Sequence, residues 1–372
     1  MIYLDNAATT QPSKEALAIY NEAQHTLFFN SESLHVGGEM AREALNSSRH
    51  YIQKHFNTDK EVLFSTSGSH ANQIAIDIYL SQAQEGKVLV SPYEHPSIYA
   101  ALEPYKKQFE IVEMPLTNEG AIDLAALEAL VDNETVLIIA QHVNSEIGYI
   151  LPVHEIAEFA QAYNIPFHVD GVQAVQKIED KAIQAFTSYA FSGHKFKGTK
   201  GVGALLIEHK SVRPTNIHYF HEEGTRNGTL DVPGILAMTR ALSLDAGYEH
   251  LTKLHQYATE RALASGFSVL RSDKQAPHII GLLTPQFEGQ YIMQSLSSRN
   301  ICISTGTACG HGLLLSEGLI EKIKQTEHEA DQYVRISFSS NSTLGEIDTC
   351  FNEIDKILEG VAAHESSGSA TN

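Results

Sequence analysis

Five short apolar runs of this sequence are each followed by polar side chains that could take part in chemistry. Ligands of open α/β sheets bind beyond the carboxyl ends of the strands, so these side chains are predicted to meet at one sheet edge. The apolar runs are residues 61–64, 87–90, 135–140, 166–169 and 189–191, and the polar groups after them lie at 65–70, 94–95, 142–146, 170–173 and 192–195.

Asp170 and Lys195 stand at two of these strand ends and suggest a specific chemistry. A lysine amine can form a Schiff base with the aldehyde of pyridoxal 5'-phosphate, while a carboxylate keeps the pyridine nitrogen protonated and makes the ring an electron sink. The alternative is a surface salt bridge between the two residues, which would contribute little to stability. These residues alone leave both interpretations open.

The segment at 65–70 combines hydroxyl side chains with a glycine just before a predicted helix. Backbone N–H groups and hydroxyls in that position can bind a phosphate. A serine that only caps the helix is the alternative, and it is favoured when the segment is considered alone.

The elements that must position these residues alternate between strand and helix. Seven apolar runs of strand length, the five above with 109–112 and 202–207, lack strict alternation and are typical of strands covered on both faces. Helical spacing occurs at 12–25, 38–56, 71–80, 123–131 and 153–163. The pattern predicts an α/β fold with a large, doubly wound domain and a mostly parallel seven-stranded sheet.

After about residue 235 the pattern changes to that of a smaller α+β domain. Helices are predicted at 235–265, 289–299 and 344–358, with strands at 267–269, 278–283 and 335–338. The stretch 235–254 is predicted to be a continuous helix connecting the two domains. Small polar residues at 365–372 predict a disordered tail.

Composition restricts the class of protein. The chain has 372 residues, 42% of them hydrophobic and 19% charged, which is typical of a globular protein. Lys+Arg 26 against Asp+Glu 45 gives a net charge of −19, which disfavours non-specific binding to nucleic acid or to an anionic membrane. With three cysteines, no basic and apolar leader and no apolar run long enough to span a bilayer, we expect a cytoplasmic protein.

No metal site is expected from the sequence. The cysteines do not form a CxxC pair, and His218 and His221 have no third ligand at a fitting spacing.

Longer motifs carry a resemblance that spans the chain from residue 3 to about residue 350. The chain resembles the NifS/IscS-type cysteine desulfurases, within the class V aminotransferase family of fold-type-I pyridoxal-phosphate enzymes. The matching segments are 3–10, 94–95, 144–148, 168–173, 191–195, 226–229, 305–309 and 334–338.

The resemblance implies roles for individual residues. Lys195 would be the Schiff-base lysine, and Asp170 would pair with the pyridine nitrogen. Arg335 would bind the substrate carboxylate through a bidentate fork, and His35 would approach the substrate. The other implied residues are Gln173 on the ring oxygen, His95 stacked on the ring, Asn144 near ring and substrate, Ser69, the His70 backbone N–H, Ser192 and His194 on the phosphate, and Thr229 on the phosphate of a partner subunit.

Cys309 is the implied persulfide-forming residue. In the family a loop thiolate attacks the sulfur of the bound cysteine, which releases alanine and leaves a persulfide on the enzyme. Gly306, Gly310 and Gly312 surround Cys309 and would give such a loop conformational freedom. Cys302 and Cys350 are expected to be inert.

The resemblance also implies partners and a domain arrangement. L-cysteine would be the substrate, a protein serving iron–sulfur cluster assembly or tRNA thiolation would accept the sulfur, and the Thr229 role implies a homodimer. Residues 1–15 would pack with the small domain, 16–250 would form the large cofactor-binding domain, 251–364 would form the small domain with the Cys309 loop, and 365–372 would be the tail.

The sequence departs from the family pattern at several positions. Ser69 and His70 replace Thr and Glu, residues 219–222 replace a Gly-Gly-Gln-Glu run, and Ser339 replaces Gly. Other class V chemistry (an aminotransferase, a selenocysteine lyase or a kynureninase-like lyase) and a non-catalytic sulfur-transfer scaffold remain alternatives.

Overall fold

The computed structural model describes residues 1–285, 287–305 and 315–368, and side chains up to residue 359. The helices are α1 (Lys14–Thr26), α2 (Val36–Phe56), α3 (Gly68–Leu80), α4 (Pro96–Leu102), α5 (Leu124–Leu130), α6 (Val153–Ala162), α7 (Val232–Leu242), α8 (Tyr248–Ala264), α9 (Gly289–Ser297), α10 (Glu317–Lys324) and α11 (Leu344–Gly368). The strands are β1 (Ile2–Tyr3), β2 (Glu61–Ser65), β3 (Gly86–Val90), β4 (Phe109–Glu113), β5 (Thr135–Gln141), β6 (Phe167–Asp170), β7 (Ser188–Ser192), β8 (Gly203–Ile207), β9 (Ser268–Leu270), β10 (Ile279–Leu283), β11 (Ile301–Cys302), β12 (Ser304–Thr305) and β13 (Tyr333–Ser337).

The chain forms two compact units. The large unit comprises Thr9–Asn144 and Ile150–Asp245, and the small unit comprises Met1–Ala8, Ser145–Tyr149 and the described chain from Ala246 onward. Among the described residues, no helix has both the length and the apolar character that crossing a bilayer requires.

A seven-stranded sheet in the order β2-β8-β7-β6-β5-β3-β4 forms the large unit's centre. Strands β4, β3, β5, β6 and β7 run parallel, while β8 pairs antiparallel with both β7 and β2. The predicted α/β fold with a mostly parallel seven-stranded sheet is therefore confirmed.

Both faces of this sheet are buried, which explains why its strands are apolar without alternation. On one face Val88, Leu137 and Ala190 pack with the apolar side of α3 in a single cluster. On the other face Tyr189 and Phe191 contact Phe56, which is the last residue of α2.

The small unit contains a four-stranded antiparallel sheet in the order β12-β13-β10-β9. Strand β1, from the N-terminus, pairs in parallel with β11. Leu4 belongs to the apolar cluster of this unit, together with side chains of α8, α9 and α11. The cluster also contains Cys350, whose thiol is fully buried and has its pKa raised to about 12 by that burial.

The prediction of one connecting helix at 235–254 is wrong. Helix α7 ends at Leu242, and α8 begins only after Gly247, whose φ of +73° lies in the left-handed region. A glycine adopts this conformation without the steric cost of a Cβ, so the chain changes direction here. The break lies where the large unit ends and the small unit resumes.

Glu222 joins two parts of the large unit through a buried carboxylate. Its Oε1 lies 2.6 Å from an Arg49 guanidinium nitrogen, and its Oε2 accepts a hydrogen bond from the Phe64 N–H at 2.6 Å. Burial raises the pKa of Glu222, while Arg49 and the Phe64 N–H oppose that rise. The carboxylate thus anchors the turn at 222–224 to the last residues of β2.

We expect Glu222→Ala to lower the free energy of unfolding by about 2 kcal/mol or more, because Arg49 and the Phe64 N–H lose their partner. Urea unfolding of the variant measures this loss. Glu103→Ala is the control, since it removes an exposed ion pair with Lys106 and should cost about 0.5 kcal/mol or less. Equal losses in the two variants would contradict the structural role of Glu222.

Candidate active site

The carboxyl ends of five strands that run in the same direction, β2, β3, β5, β6 and β7, bring the predicted strand-end residues to one edge of the large unit's sheet. Gln141 of β5 is paired with Asp170 of β6, and Asp170 is paired with Ala190 of β7. Strand β7 ends at Ser192, and one turn of 3-10 helix, Gly193–Lys195, follows directly. Asp170, at the end of β6, and the turn that contains Lys195, after the end of β7, therefore lie on neighbouring strands at this edge.

Asp170 is a buried acid whose two carboxylate oxygens both accept hydrogen bonds. Asp170 is only 6% exposed. Oδ1 accepts from the Val172 N–H at 2.9 Å, and Oδ2 accepts from the Asn72 amide at 2.8 Å. Donors of this kind satisfy the hydrogen-bonding capacity of a carboxyl group that has left water. The position suits a carboxylate that must bind a cationic N–H group.

Asn72 belongs to a hydrogen-bonded chain behind Asp170. Its Oδ1 lies 3.1 Å from Nε2 of His168, and His168 Nδ1 lies 2.8 Å from the Ser188 hydroxyl. Burial lowers the pKa of His168 to about 3, so this ring is neutral. Because Asn72 donates to Asp170 through its amide nitrogen, its oxygen accepts from the His168 Nε2–H.

Sequence reasoning missed Asn72 and His168 as parts of the site. The spacing of each residue from a predicted site residue could have indicated that it belongs to the site. His168 lies two residues before Asp170 on β6, so the two side chains share one face of the strand. Asn72 lies three residues after Ser69 on α3, so those two share one face of the helix.

His95 caps α4 and is held in one tautomer. The Ser97 N–H donates to His95 Nδ1 at 3.1 Å, so in the neutral ring the proton is on Nε2. Burial lowers the pKa of His95, the Asp170 carboxylate raises it, and the Lys195 ammonium lowers it. Both charged groups thus lie near enough to act on this ring, which places His95, Asp170 and Lys195 in one cluster.

Glu94 is a buried acid next to that cluster. Its Oε1 accepts a hydrogen bond from the Gln141 N–H at 2.5 Å. Burial raises the pKa of Glu94 well above its usual value, and the nearby Asp170 carboxylate raises it further. Two buried acids close together do not both ionise readily, and burial together with the nearby Asp170 therefore disfavours the charged form of Glu94.

The start of α3 packs directly against the ends of β6 and β7. A Cβ on Gly68 would lie 2.4 Å from a Val172 methyl carbon and 3.5 Å from Ser192 Cβ, so only glycine fits. Ser67 caps the helix by accepting the His70 N–H at 3.1 Å, and the His70 ring turns back to Thr66. The structure therefore contains the serine cap that the sequence allowed, beside the strand-end cluster.

The helix start also offers groups that can bind an anion. The N–H groups of Gly68 and Ser69 lie in the first turn of α3, where helix geometry directs them out of the helix. Together with the buried Asp170 carboxylate and the amine of Lys195, they match the phosphate, pyridine nitrogen and aldehyde of pyridoxal 5'-phosphate. The residues of the large unit therefore fit this cofactor.

Three further predicted residues of the large unit have identifiable surroundings. His194 Nδ1 lies 3.1 Å from the Thr9 hydroxyl, and burial, with the charges of Lys195 and Lys200, lowers its pKa to about 4. Asn144 and Gln173 are buried, and the Asn144 amide donates to the Tyr93 carbonyl at 3.4 Å.

His35 and Thr229 lie at exposed positions of the same unit. His35 caps α2, with its Nδ1 accepting from the Gly38 N–H at 3.3 Å. Thr229 lies three residues after Arg226. Arg226 is buried, and its guanidinium donates a weak hydrogen bond to the Phe64 carbonyl at 3.5 Å. The structure does not place either side chain in the cluster around Asp170 through a described contact, and their predicted roles stay predictions.

Lys177 is a buried lysine near Lys195 that the sequence did not indicate. Burial, followed by the positive charges of Lys197 and Lys195, lowers its pKa to about 7. The residue is only 3% exposed. The buried environment of Lys177 therefore partly suppresses the positive charge of its own amine.

Arg335 lies in the small unit on β13 and is 7% exposed. One terminal nitrogen donates to Asp5 Oδ1 at 2.8 Å, and the other donates to the Ser145 carbonyl at 2.8 Å. Its Nε is buried without a partner among the described residues. The guanidinium is thus held by its ends, with one buried donor available to a ligand.

Cys309 lies outside the described residues, which resume at Leu315. The residues on either side of that stretch are well anchored in the small unit. Thr305 is paired with Val334 and donates from its hydroxyl to the Tyr333 carbonyl at 2.7 Å. Ser316 caps α10, and its N–H donates to Glu146 Oε1 at 2.9 Å.

Comparison with known proteins identifies the family of this chain. The family model for class-V aminotransferases matches residues 2–350. NifS of Bacillus subtilis (strain 168) is 32% identical over 96% of this chain and 95% of its own length. IscS of Dictyoglomus turgidum, named a cysteine desulfurase, is 30% identical over 96% of this chain and 94% of its own length.

A solved structure of a NifS-like protein has the same fold. It superposes with a TM-score of 0.87 at 25% identity and covers 96% of this chain and 99% of its own. These matches confirm the resemblance seen in the motifs. The chain belongs to the class-V aminotransferase family, whose members use pyridoxal 5'-phosphate, and within that family to the NifS/IscS-type cysteine desulfurases.

Proposed function

We propose that this protein is an L-cysteine desulfurase that releases L-alanine and carries the sulfur as a persulfide on Cys309. The observation that supports it best is the cluster of His95, Asp170 and Lys195 at the ends of neighbouring strands, where both charges act on the His95 ring. A family with named cysteine desulfurases among its members supports the choice of reaction.

Pyridoxal 5'-phosphate, when bound, supplies an aldehyde that condenses with amines and a ring that withdraws electrons from the substrate Cα. Asp170 would bind the pyridine N–H, because its carboxylate is buried and already oriented by Asn72 and Val172. Lys195 would hold the aldehyde carbon. Ser69, Ser192 and His194 would hold the phosphate, and the His70 N–H would join them on leaving the Ser67 hydroxyl to which it now donates. Gln173 would bind the ring oxygen, and His95 would cover one ring face with Asn144 nearby.

Proton transfer would depend on Lys195. Its amine, once free, is the candidate base that takes the proton from the substrate Cα and returns one to the product. A base must be neutral to accept a proton.

Sulfur transfer would depend on Cys309. Its thiolate would attack the substrate Sγ, so that an S–S bond forms and the Cβ–Sγ bond breaks. The electron pair of the broken bond stays on Cβ, which takes up a proton as the carbon skeleton leaves as alanine. The enzyme thiol and L-cysteine are thereby converted to an enzyme persulfide and L-alanine, with no external oxidant.

Arg335 is proposed to bind the substrate carboxylate. Its guanidinium is buried and fixed at both ends, and its Nε is a buried donor without a partner among the described residues. Leaving such a donor unsatisfied is costly, and a substrate carboxylate would satisfy it.

Partners are proposed on the same basis. A sulfur-acceptor protein of iron–sulfur cluster assembly or tRNA thiolation would remove the persulfide sulfur. Thr229 would bind the phosphate of a partner subunit in a homodimer, and its exposed position is compatible with that role.

Lys195→Ala should lose the visible absorption of the bound cofactor and lower alanine formation from L-cysteine by at least about 10²-fold, since the proposed base is removed. Absorption spectra and chromatographic quantification of alanine measure both effects. The control is Lys210→Ala, which removes an exposed lysine paired with Glu208 in the same unit. A coloured and active Lys195→Ala protein would refute the role of Lys195.

Cys309→Ser should keep the cofactor colour and lose persulfide formation, because a hydroxyl cannot take up the sulfur. Mass spectrometry after addition of L-cysteine detects the added sulfur atom, and sulfide release in the presence of dithiothreitol measures turnover. Cys302→Ser, which alters another thiol of the small unit, should behave as wild type. Full turnover by Cys309→Ser would show that another group accepts the sulfur.

A further inference from the structure

His142, His154 and Asp180 form a cluster in the large unit that the proposed reaction does not use. Each offers one ligand atom, and these atoms all lie within 4.8 Å of one another. His142 follows β5 directly, His154 is the second residue of α6, and Asp180 lies between β6 and β7. Residues far apart in sequence thus meet at one place, which we call the 142/154/180 cluster.

The strongest observation is the unused nitrogen of His142. The side chain is 1% exposed, and its Nε2 is buried without a hydrogen-bond partner among the described residues. This nitrogen faces the Asp180 carboxylate oxygen at 3.4 Å, which leaves at best a weak interaction between them. A buried polar atom in that position needs an explanation, and a bound cation supplies one.

Neighbouring groups hold the His142 ring in place for coordination. Its Nδ1 lies 3.1 Å from the Tyr189 hydroxyl, and Phe186 and Tyr189 contact the ring edge-on. When Nδ1 donates its proton to the Tyr189 hydroxyl, the Nε2 lone pair is available, as in most histidines that bind metals.

The other two ligands are accessible. The side chains of His154 and Asp180 are 40% and 30% exposed, which leaves a path from solvent and room for a water ligand. In a tetrahedral site with bonds of about 2.0 Å, neighbouring ligand atoms lie roughly 3.3 Å apart, close to the distance between His142 and Asp180. Asp180 is oriented by the Ala182 N–H, which donates to its Oδ1 at 2.9 Å.

The cluster lies apart from the proposed reaction chemistry. Tyr189, which contacts His142, follows Ser188, which contacts His168, and successive residues of a strand point to opposite faces. The cluster and the chain behind Asp170 therefore lie on opposite faces of the sheet.

We propose that the 142/154/180 cluster binds one Zn²⁺-type divalent ion, with a water as fourth ligand. Two imidazoles and one carboxylate suit Zn²⁺ and disfavour Ca²⁺ and Mg²⁺, which prefer oxygen donors, and Zn²⁺ binds such donors more tightly than Fe²⁺. His154 now hydrogen-bonds to Asp180 through Nε2, and in the metal-bound form the neutral ring carries its proton on Nδ1, so that Nε2 and the Asp180 oxygen both bind the ion. The site is independent of the proposed desulfurase activity.

The test uses full-length holoenzyme without an affinity tag, stripped with a chelator and dialysed against Zn²⁺. Wild type should retain one zinc per chain, and His154→Ala and Asp180→Ala should bind it at least about 10-fold more weakly. The matched control is His209→Ala, an exposed histidine of the same unit paired with Glu61, which should bind zinc as wild type does. Elemental analysis and competition with a chromophoric chelator give stoichiometry and affinity.

Co²⁺ provides a direct readout of the coordination. Wild type loaded with Co²⁺ should show visible d–d absorption of a tetrahedral site, and His154→Ala should not, while cofactor colour and circular dichroism verify that the variant is folded. Equal zinc affinity in wild type and His154→Ala would overturn the proposal. Zinc binding that is lost only in Cys309→Ser would overturn it too, because the ion would then belong to the reactive thiol.

Discussion

The large unit depends on burying one carboxylate at the end of a parallel strand. Removing an ionised acid from water costs several kcal/mol unless hydrogen-bond donors replace the water. Asp170 has two such donors, one from the turn that follows it and one from Asn72 of α3. The buried His168 in turn holds Asn72 in place. Helix α3 and strands β6 and β7 therefore all contribute to the orientation of this one acid.

Strand direction then decides which residues can act together with Asp170. Because β3, β5, β6 and β7 are parallel, their carboxyl ends lie along one edge, and each contributes the residues that follow it. Gly68 lets α3 begin in contact with two of those ends, which places the N–H groups of its first turn beside them. Glu222 holds a further turn against β2, so the run 219–222, which departs from the family pattern, retains a structural acid.

Buried charge also organises the small unit. Arg335 is held by Asp5 and by the Ser145 carbonyl, and Glu146 receives the N–H of Ser316 at the start of α10. The short segment 145–149 thus contributes a carbonyl and a carboxylate to this unit although its neighbours in sequence belong to the large one. The matching segments 3–10, 144–148 and 334–338 are far apart in the sequence, but their residues contact one another in the small unit.

The sequence by itself determined the fold class, the seven strands of the main sheet, the strand-end residues and the family, because apolar runs, turn residues and motif spacing are local properties. Only the tertiary structure decided the break at Gly247, the partners of Asp170 and the meeting of His142, His154 and Asp180. These depend on which elements pack together and which face each side chain takes. Hydrogen bonds between residues about 100 positions apart leave no local pattern, so folding alone brings such groups into contact.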